Sequence, residues 1–309
     1  MKHLKIDSIQ PLLADVTNFK RFMGRYFLSS VITRTDKSSR PCRILTFSDA
    51  SGDFTVYCNN PSLMETHLLP HSMVHIEAAL QQRQGSAFYH CKNLLPCVDE
   101  KSIGNDLSAL PRSLCPFPEA VDALIVFTSR LHHSAMRQFL RQVLLQPNIG
   151  LRYLQCPASL RYHHNYPGGL IQHSVEMAWD IAGIRELSTF EQDIAVVAAL
   201  LHDIGKTLTM TPDCTRTAIG SLVDHGQLTL EICAEPLKSL EKVAPAMAHQ
   251  LRHAWTCYSP KARYGFTPKT RVAKHLQRAD GLSAGRSKST WSVPDFEPVH
   301  DVLRKQAKG

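Results

Sequence analysis

The sequence predicts a multi-domain protein in which a small β-barrel is followed by an all-α domain. Residues 1–98 contain short strand patterns separated by polar turns, whereas residues after 118 repeat apolar positions every three or four residues. The segment between them loses periodicity and carries three prolines, which is typical of a linker. With 309 residues and 43% hydrophobic residues, the chain is long enough for two domains with proper cores.

The N-terminal strand patterns are rich in β-branched and aromatic residues. A turn signal, DASGD, predicts a hairpin between the second and third strands, and a short helix is predicted at Pro61–Leu69. Five strands with a helix between the third and fourth follow the order of an OB-fold, a small barrel that binds oligonucleotides; another small barrel or an α+β sheet is the alternative. The predicted strands are Arg25–Thr33, Cys42–Ala50, Gly52–Cys58, Ser72–Gln82 and Ser86–Pro96.

The rest of the chain divides into three predicted segments. Residues 99–118 form the linker, residues 119–290 the all-α domain, and residues 291–309 a basic C-terminal tail. The net charge is +8, and residues 258–309 hold eleven Lys and Arg against four Asp and Glu. Such a basic region suits a polyanionic partner such as nucleic acid.

Composition argues against export and against a membrane protein. No stretch reaches the ~18 consecutive apolar residues of a membrane-spanning helix, and the N-terminus lacks the apolar core of a signal peptide. The nine cysteines are odd in number and form no C-x-x-C pair. They therefore predict reduced thiols in a cytoplasmic protein rather than a disulfide scaffold or a cysteine zinc site.

The segment ALLHDIGKT, residues 199–207, is the most informative motif. It ends a helix that is apolar nearly all round and therefore buried, and Gly205 is predicted to terminate that helix. His202 and Asp203 lie near its C-terminal end. A buried Asp beside a buried His is costly unless a positive charge compensates, and imidazole with carboxylate suits a divalent first-row metal.

Further metal-type residues lie on separate predicted helices. His173 is expected one turn into a helix, on the stripe of Leu170, and Asp280 follows much later. A cation at such a site would make hydroxide available to attack phosphorus, and Lys206 could reach a phosphate oxygen as a point charge. An isolated His-Asp pair is more often structural, but the ordered set on several helices is far more specific.

This pattern resembles the HD superfamily of metal-dependent phosphohydrolases. The resemblance implies metal ligation by His173, His202, Asp203 and Asp280, with Asp203 also orienting the nucleophile. The string CPASLRYHHNYPGGLIQHSVEMA followed by AALLHDIGKT is similar to YhaM-type 3′–5′ exoribonucleases, which place an OB-fold before the HD domain. This resemblance implies an exonuclease that acts on single-stranded nucleic acid, RNA or DNA, and that uses Mn, Fe, Co or a similar divalent ion. It also leads us to expect a homo-oligomer.

The resemblance also suggests residues around the first ion. HD proteins with a second metal use later histidines, and His225 and His253 occupy those positions, although Arg252-His253 replaces the usual histidine pair. The number of ions, one or two, therefore stays open. The residues predicted to bind substrate are His163, His164, Arg252, Lys261 and Arg263, with Trp255, Tyr258 and Tyr264 as possible base-stacking residues.

Two other functions compete with the nuclease. The same string resembles the HD region of MobH/TraI-type conjugative relaxases, which would make this a DNA-processing protein. HD proteins also include nucleotide phosphohydrolases, although a mononucleotide needs no strand-binding barrel. A non-catalytic binding protein would have little use for the complete ligand set.

Overall fold

The computed structural model describes residues 10–35, 39–83, 85–97, 106–257, 266–284 and 298–308. The chain divides into two compact units. The first comprises Met1–Leu114 together with Leu303–Gly309, and the second comprises Cys115–Val302. The domain boundaries predicted from the sequence stay predictions.

The first unit contains the predicted OB-like barrel. Within the described residues, five strands close in the order β1-β2-β3-β5-β4. The first half of the long β1 pairs with β4 and its second half with β2, and the β1–β2 register shifts between Leu28 and Ser30. The strands are β1 (Arg21–Thr35), β2 (Pro41–Asp49), β3 (Gly52–Cys58), β4 (Ser72–Arg83) and β5 (Ser86–Pro96), with helix α1 (Pro61–Met64) between β3 and β4.

Alternating side chains of the strands fill the barrel. Leu45, Phe47 and Val56 are fully or almost fully buried, and Tyr26 packs its ring edge against Phe47. The buried Tyr26 hydroxyl donates to the Pro11 carbonyl at 2.6 Å, which satisfies its polar atom. This buried interior, together with the closed order of the five strands, confirms the predicted OB-like barrel as the N-terminal fold.

Helix α1 is shorter than predicted, because it ends at Met64 rather than Leu69. Arg43 from β2 donates to the Thr66 carbonyl at 2.8 Å and to the Leu63 carbonyl at 3.4 Å. These bonds satisfy carbonyls at the end of the helix that further helical turns would otherwise have satisfied. Sequence pattern alone does not reveal such a long-range cap.

The described part of the predicted linker is structured. Two short 3₁₀ helices, Leu107–Ala109 and Arg112–Leu114, lie against the barrel. The Ala50 amide donates to the Ser108 carbonyl at 2.7 Å, and the Ser48 and Ser113 hydroxyls are 2.8 Å apart. Residues 98–105 lie outside the described residues.

The second unit is helical in the part of the chain that the structure describes, as the sequence predicted. Helix α6 is buried over residues 193–201, which places its C-terminal end inside the unit. No helix of the described chain is both long and apolar enough to cross a membrane. The helices are α2 (Pro118–Arg130), α3 (Ser134–Leu144), α4 (Ile149–Gln155), α5 (Gly169–Ala182), α6 (Thr189–Leu201), α7 (Lys206–Thr209), α8 (His225–Val243), α9 (Pro245–Thr256) and α10 (Arg271–Ala284).

The described part of the predicted basic tail, residues 298–308, also contains a helix. Helix α11 spans Val299–Lys308, and the Arg304 guanidinium bonds to the Asp15 carboxylate, with Nε to Oδ2 at 3.2 Å. Residues 291–297 lie outside the described residues.

Candidate metal centre

Three helices present the side chains of the site. Helix α5 starts immediately after Gly168, whose φ of +79° is the left-handed conformation that favours glycine, and it carries the buried His173. Helix α6 starts at a capping box formed by Ser188 and Glu191 and ends at Leu201, so that His202 follows directly. Asp280 lies on α10, which packs against both α5 and α6.

His173, His202 and Asp280 converge on one point. The two imidazole Nε2 atoms are 3.2 Å apart, and Oδ1 of Asp280 lies 3.4 Å from the first and 3.9 Å from the second. Together these three ligand atoms lie within 4.8 Å of one another, a spacing that can hold a metal ion. The donors are nitrogen, nitrogen and oxygen, which suits divalent first-row metals.

Asp203 lies beside this cluster and connects it to the next helix. Its Oδ2 is 3.2 Å from His202 Nε2 and 3.9 Å from His173 Nε2, while its Oδ1 is 3.2 Å from Nε2 of His225, the first residue of α8. Lys206 Nζ donates to Oδ2 at 2.5 Å. The carboxylate therefore contacts both the histidine cluster and a lysine.

The surroundings keep Asp203 ionised. Burial alone would raise the pKa of its carboxyl, but His202 and Lys206 outweigh that effect and hold the pKa well below its usual range. Burial likewise opposes protonation of His202, yet the adjacent Asp203 carboxylate raises the pKa of that ring. Acidic surroundings that favour a proton on the ring equally favour a cation at its Nε2.

Hydrogen bonds at the far side of each ring orient the two histidines. His202 Nδ1 donates to the Ala199 carbonyl at 2.8 Å, so the neutral ring carries its lone pair at Nε2. His173 Nδ1 is 3.0 Å from the Ser283 hydroxyl, and burial lowers the pKa of His173, which favours the neutral ring that a metal requires. These residues therefore fit a divalent cation.

Gly205 does not act as the predicted helix terminator. Its φ of −59° is right-handed, and α6 has already ended at Leu201. The reason for glycine is close approach, because a Cβ at this position would lie 2.0 Å from the His225 carbonyl oxygen. The small residue lets α8 bring His225 against Asp203.

The loop before α5 is tied to a buried glutamate that the sequence analysis did not single out. Glu176 Oε2 is 3.2 Å from Nε2 of His164, and its Oε1 accepts from Gln172 at 3.1 Å. The His164 ring in turn packs near His173, with ring centroids 5.5 Å apart. Glu176 is on the same helix as His173, three residues later, but nothing in its spacing marked it as buried.

A cleft of about 720 Å³ opens beside the cluster. His163 and His164, both predicted to bind substrate, line it together with Lys206 and His225. The complete lining is Ala158, Ser159, Leu160, Arg161, Tyr162, His163, His164, His173, Lys206, Thr209, Met210, Arg216, Val223, Asp224, His225 and Asp280.

Other predicted site residues are engaged elsewhere. His253 Nε2 accepts a hydrogen bond from the Lys269 amide at 2.9 Å, which occupies that nitrogen, and Arg252 pairs with Glu241 at 2.8 Å. Trp255 donates to the Ala198 carbonyl at 3.1 Å and stacks on Phe139, so it packs against other helices rather than presenting a face for bases. Tyr258, Lys261, Arg263 and Tyr264 lie outside the described residues.

The Ser283 contact leads to a prediction about metal affinity. Ser283→Ala removes the partner of His173 Nδ1 inside a fully buried pocket, so the ring loses its fixed orientation. Loss of such a partner typically weakens metal binding by about 10- to 100-fold. Chelator competition should show this weakening, whereas Ser129→Ala on α2, whose hydroxyl donates to the Val126 carbonyl at 2.7 Å, should bind metal as the wild type does. Equal affinities of the two variants would contradict the orienting role.

Comparison with known proteins agrees with this geometry. Residues 170–285 match the family model described as HD domain, a range that includes His173, His202, Asp203 and Asp280. The chain is similar to the 3′-5′ exoribonuclease YhaM of Bacillus licheniformis (21% identity, covering 80% of this chain and 79% of the relative) and of Bacillus subtilis strain 168 (21%, covering 85% and 84%). The YhaM protein of Listeria innocua is 26% identical over 41% of this chain and 42% of its own.

Proposed function

We propose that this chain, whose helical unit contains an HD domain at residues 170–285, is a metal-dependent 3′–5′ exonuclease of single-stranded nucleic acid, RNA in particular. The observation that best supports the proposal is the convergence of His173, His202 and Asp280, with Asp203 next to them, beside a cleft that His173 and Asp280 line. The relatives named exoribonucleases cover about four fifths of the chain.

The metal would be held by His173, His202 and Asp280, with Asp203 as the adjoining carboxylate. When bound, a divalent cation supplies Lewis-acid chemistry that activates water and polarises a phosphodiester. Manganese, iron and cobalt all suit the donor set. We propose His225 as the histidine that would serve a second ion, because its Nε2 lies 3.2 Å from the other carboxylate oxygen of Asp203.

The chain's own side chains have separate tasks in the cleft. Asp203 stays ionised and can accept a hydrogen bond from the attacking water, which orients that water toward phosphorus. Lys206, only 15% exposed, places a positive charge at the cleft wall where a non-bridging phosphate oxygen can pair with it. Arg161 and Arg216 add further positive charge to the same cleft.

The barrel supplies the second requirement of a nuclease that works along a strand. Five-stranded barrels of this topology are suited to bind extended oligonucleotides, mainly through phosphates and stacking. A nucleotide phosphohydrolase has no need of it, and the relatives give no support to a relaxase. The cytoplasm as location and a homo-oligomeric state belong to this proposal as well.

The test is degradation of a 5′-labelled single-stranded RNA by the purified protein. We expect products that shorten progressively from the 3′ end, complete inhibition by chelator, and recovery on adding manganese. A circular RNA of the same sequence should resist, because an exonuclease needs an end. Discrete nicks in supercoiled plasmid would support the relaxase alternative, and release of phosphate from mononucleotides without strand shortening would support the phosphohydrolase.

A further inference from the structure

Tyr162 is an exposed aromatic side chain in the wall of the cleft. Its exposed fraction is 78%, although it lies in the same cleft as His173 and Asp280. An aromatic ring that is open to solvent in the wall of this cleft is available to a ligand.

The backbone around Tyr162 is held in place, so the exposure is a property of the fold. The Ser159 hydroxyl accepts hydrogen bonds from the amides of Arg161 and Tyr162, at 3.1 Å and 2.8 Å. The Ala158 amide donates to the His164 carbonyl at 3.0 Å and closes the turn. His164 is itself fixed to the buried Glu176. The ring therefore projects from a braced turn.

The neighbourhood of Tyr162 matches the chemistry of a nucleotide. Arg161, Lys206 and Arg216 place positive charge in the same cleft, which suits phosphate groups. A flat aromatic face beside such charges suits a nucleobase, because every base presents a π-face to stack on. A phosphate alone would use the cations but would leave the ring without a function.

We propose that Tyr162 stacks on the base of the 3′-terminal nucleotide and holds that end of the strand in the cleft. This inference rests on the proposed nuclease function and adds the residue that grips the terminal base. Stacking makes no hydrogen bonds to the edge of a base, so Tyr162 can hold any of the four bases with little sequence preference. Stacking is separate from bond cleavage, so it contributes mainly to substrate binding.

The experiment compares Tyr162→Ala, Tyr162→Leu and Tyr162→Phe with the wild type on two RNAs, one complete and one lacking its 3′-terminal base. We expect the Ala and Leu variants to raise KM for the complete RNA by about tenfold or more, with a smaller change in kcat. Tyr162→Phe keeps the ring and should behave as the wild type. Phe266→Ala, which removes another ring that is 70% exposed but does not line the cleft, is the matched control and should leave KM unchanged.

The second RNA separates stacking from a merely structural role. The wild type should have a higher KM for the RNA that lacks its terminal base than for the complete RNA. The Ala and Leu variants should lose this discrimination and show similar KM values for the two RNAs. If the wild type degrades RNA and both variants keep its KM and its discrimination, the stacking role is overturned while the nuclease function stands. If the wild type degrades no strand at all, the proposed function is overturned, and the inference with it. Thermal unfolding shows whether each variant is folded. If Tyr162→Ala does not fold, Tyr162→Leu, which keeps apolar bulk at this position, replaces it in the comparison.

Discussion

Replacing Asp203 with asparagine is expected to reduce the rate of single-stranded RNA degradation by about 10²–10³-fold or more, because removing one preorganised electrostatic group at a reaction centre typically lowers the rate by that factor. The substitution preserves the shape of the side chain but removes its negative charge. One oxygen of Asp203 faces His202 and Lys206, and the other faces His225. Loss of the charge therefore weakens the hold on a cation and leaves Lys206 without its counterion.

The measurement is the single-turnover rate on labelled RNA, together with the metal content of the purified variant. Asp213→Asn is the matched control, because Asp213 is exposed and does not line the cleft, and it should retain wild-type rate and metal. Thermal unfolding of both variants confirms that the comparison is between folded proteins. Undiminished degradation by Asp203→Asn would refute the role of this carboxylate in the nuclease mechanism.

The histidines and carboxylates of the candidate centre were visible in the sequence because their types and order are informative. A His-Asp pair at the end of an apolar helix is expensive to bury without a positive charge, and together with the further His and Asp residues on other helices that cost pointed to a metal. His173 and Asp280 could be assigned only by resemblance, because no spacing rule connects residues about a hundred positions apart. The structure brings them to 3.4 Å. The strands of the barrel could be predicted for a similar reason, since β-branched and aromatic residues bounded by turn signals mark each strand locally.

Residues that act through another residue could not be found in this way. Ser283 orients His173 and Glu176 holds His164, yet a serine and a glutamate on helices are ordinary in any sequence. Their importance arises from packing between α5 and α10 and between α5 and the preceding loop. Conversely, Trp255 and Arg252 matched a nucleic-acid pattern in type but are used in contacts between helices. Composition thus predicts the chemistry of a site better than it predicts its supporting contacts.

Gly205 shows the same limit at a single position, because its role depends on a distant helix. The sequence suggested a helix terminator, whereas the structure shows a crossing point between the His202–Lys206 turn and α8. Thr229 on α8 fixes this crossing, since its hydroxyl accepts from the Gly205 amide at 3.0 Å and donates to the His202 carbonyl at 3.2 Å. Thr229 is fully buried. The position of His225 against Asp203 therefore depends on how closely α8 approaches this turn.

Gly205→Ala is expected to destabilise the protein by about 1–3 kcal/mol, the usual cost of overpacking. It should also reduce the rate of RNA degradation by roughly 100-fold, because displacing a group of the site by about 1 Å can have an effect of that size. The added Cβ would lie 2.0 Å from the His225 carbonyl and 2.7 Å from the Thr229 amide, so backbone rather than a flexible side chain must move.

Gly281→Ala is the matched control. Among the described residues, a Cβ there has no neighbour within 4 Å, and because Gly281 lies inside α10, alanine should stabilise the helix by about 0.5–1 kcal/mol. Denaturant unfolding and the RNA assay measure both effects. If Gly205→Ala matches the wild type in both, α8 does not approach the turn as closely as the structure shows, and the contact between His225 and Asp203 loses its support.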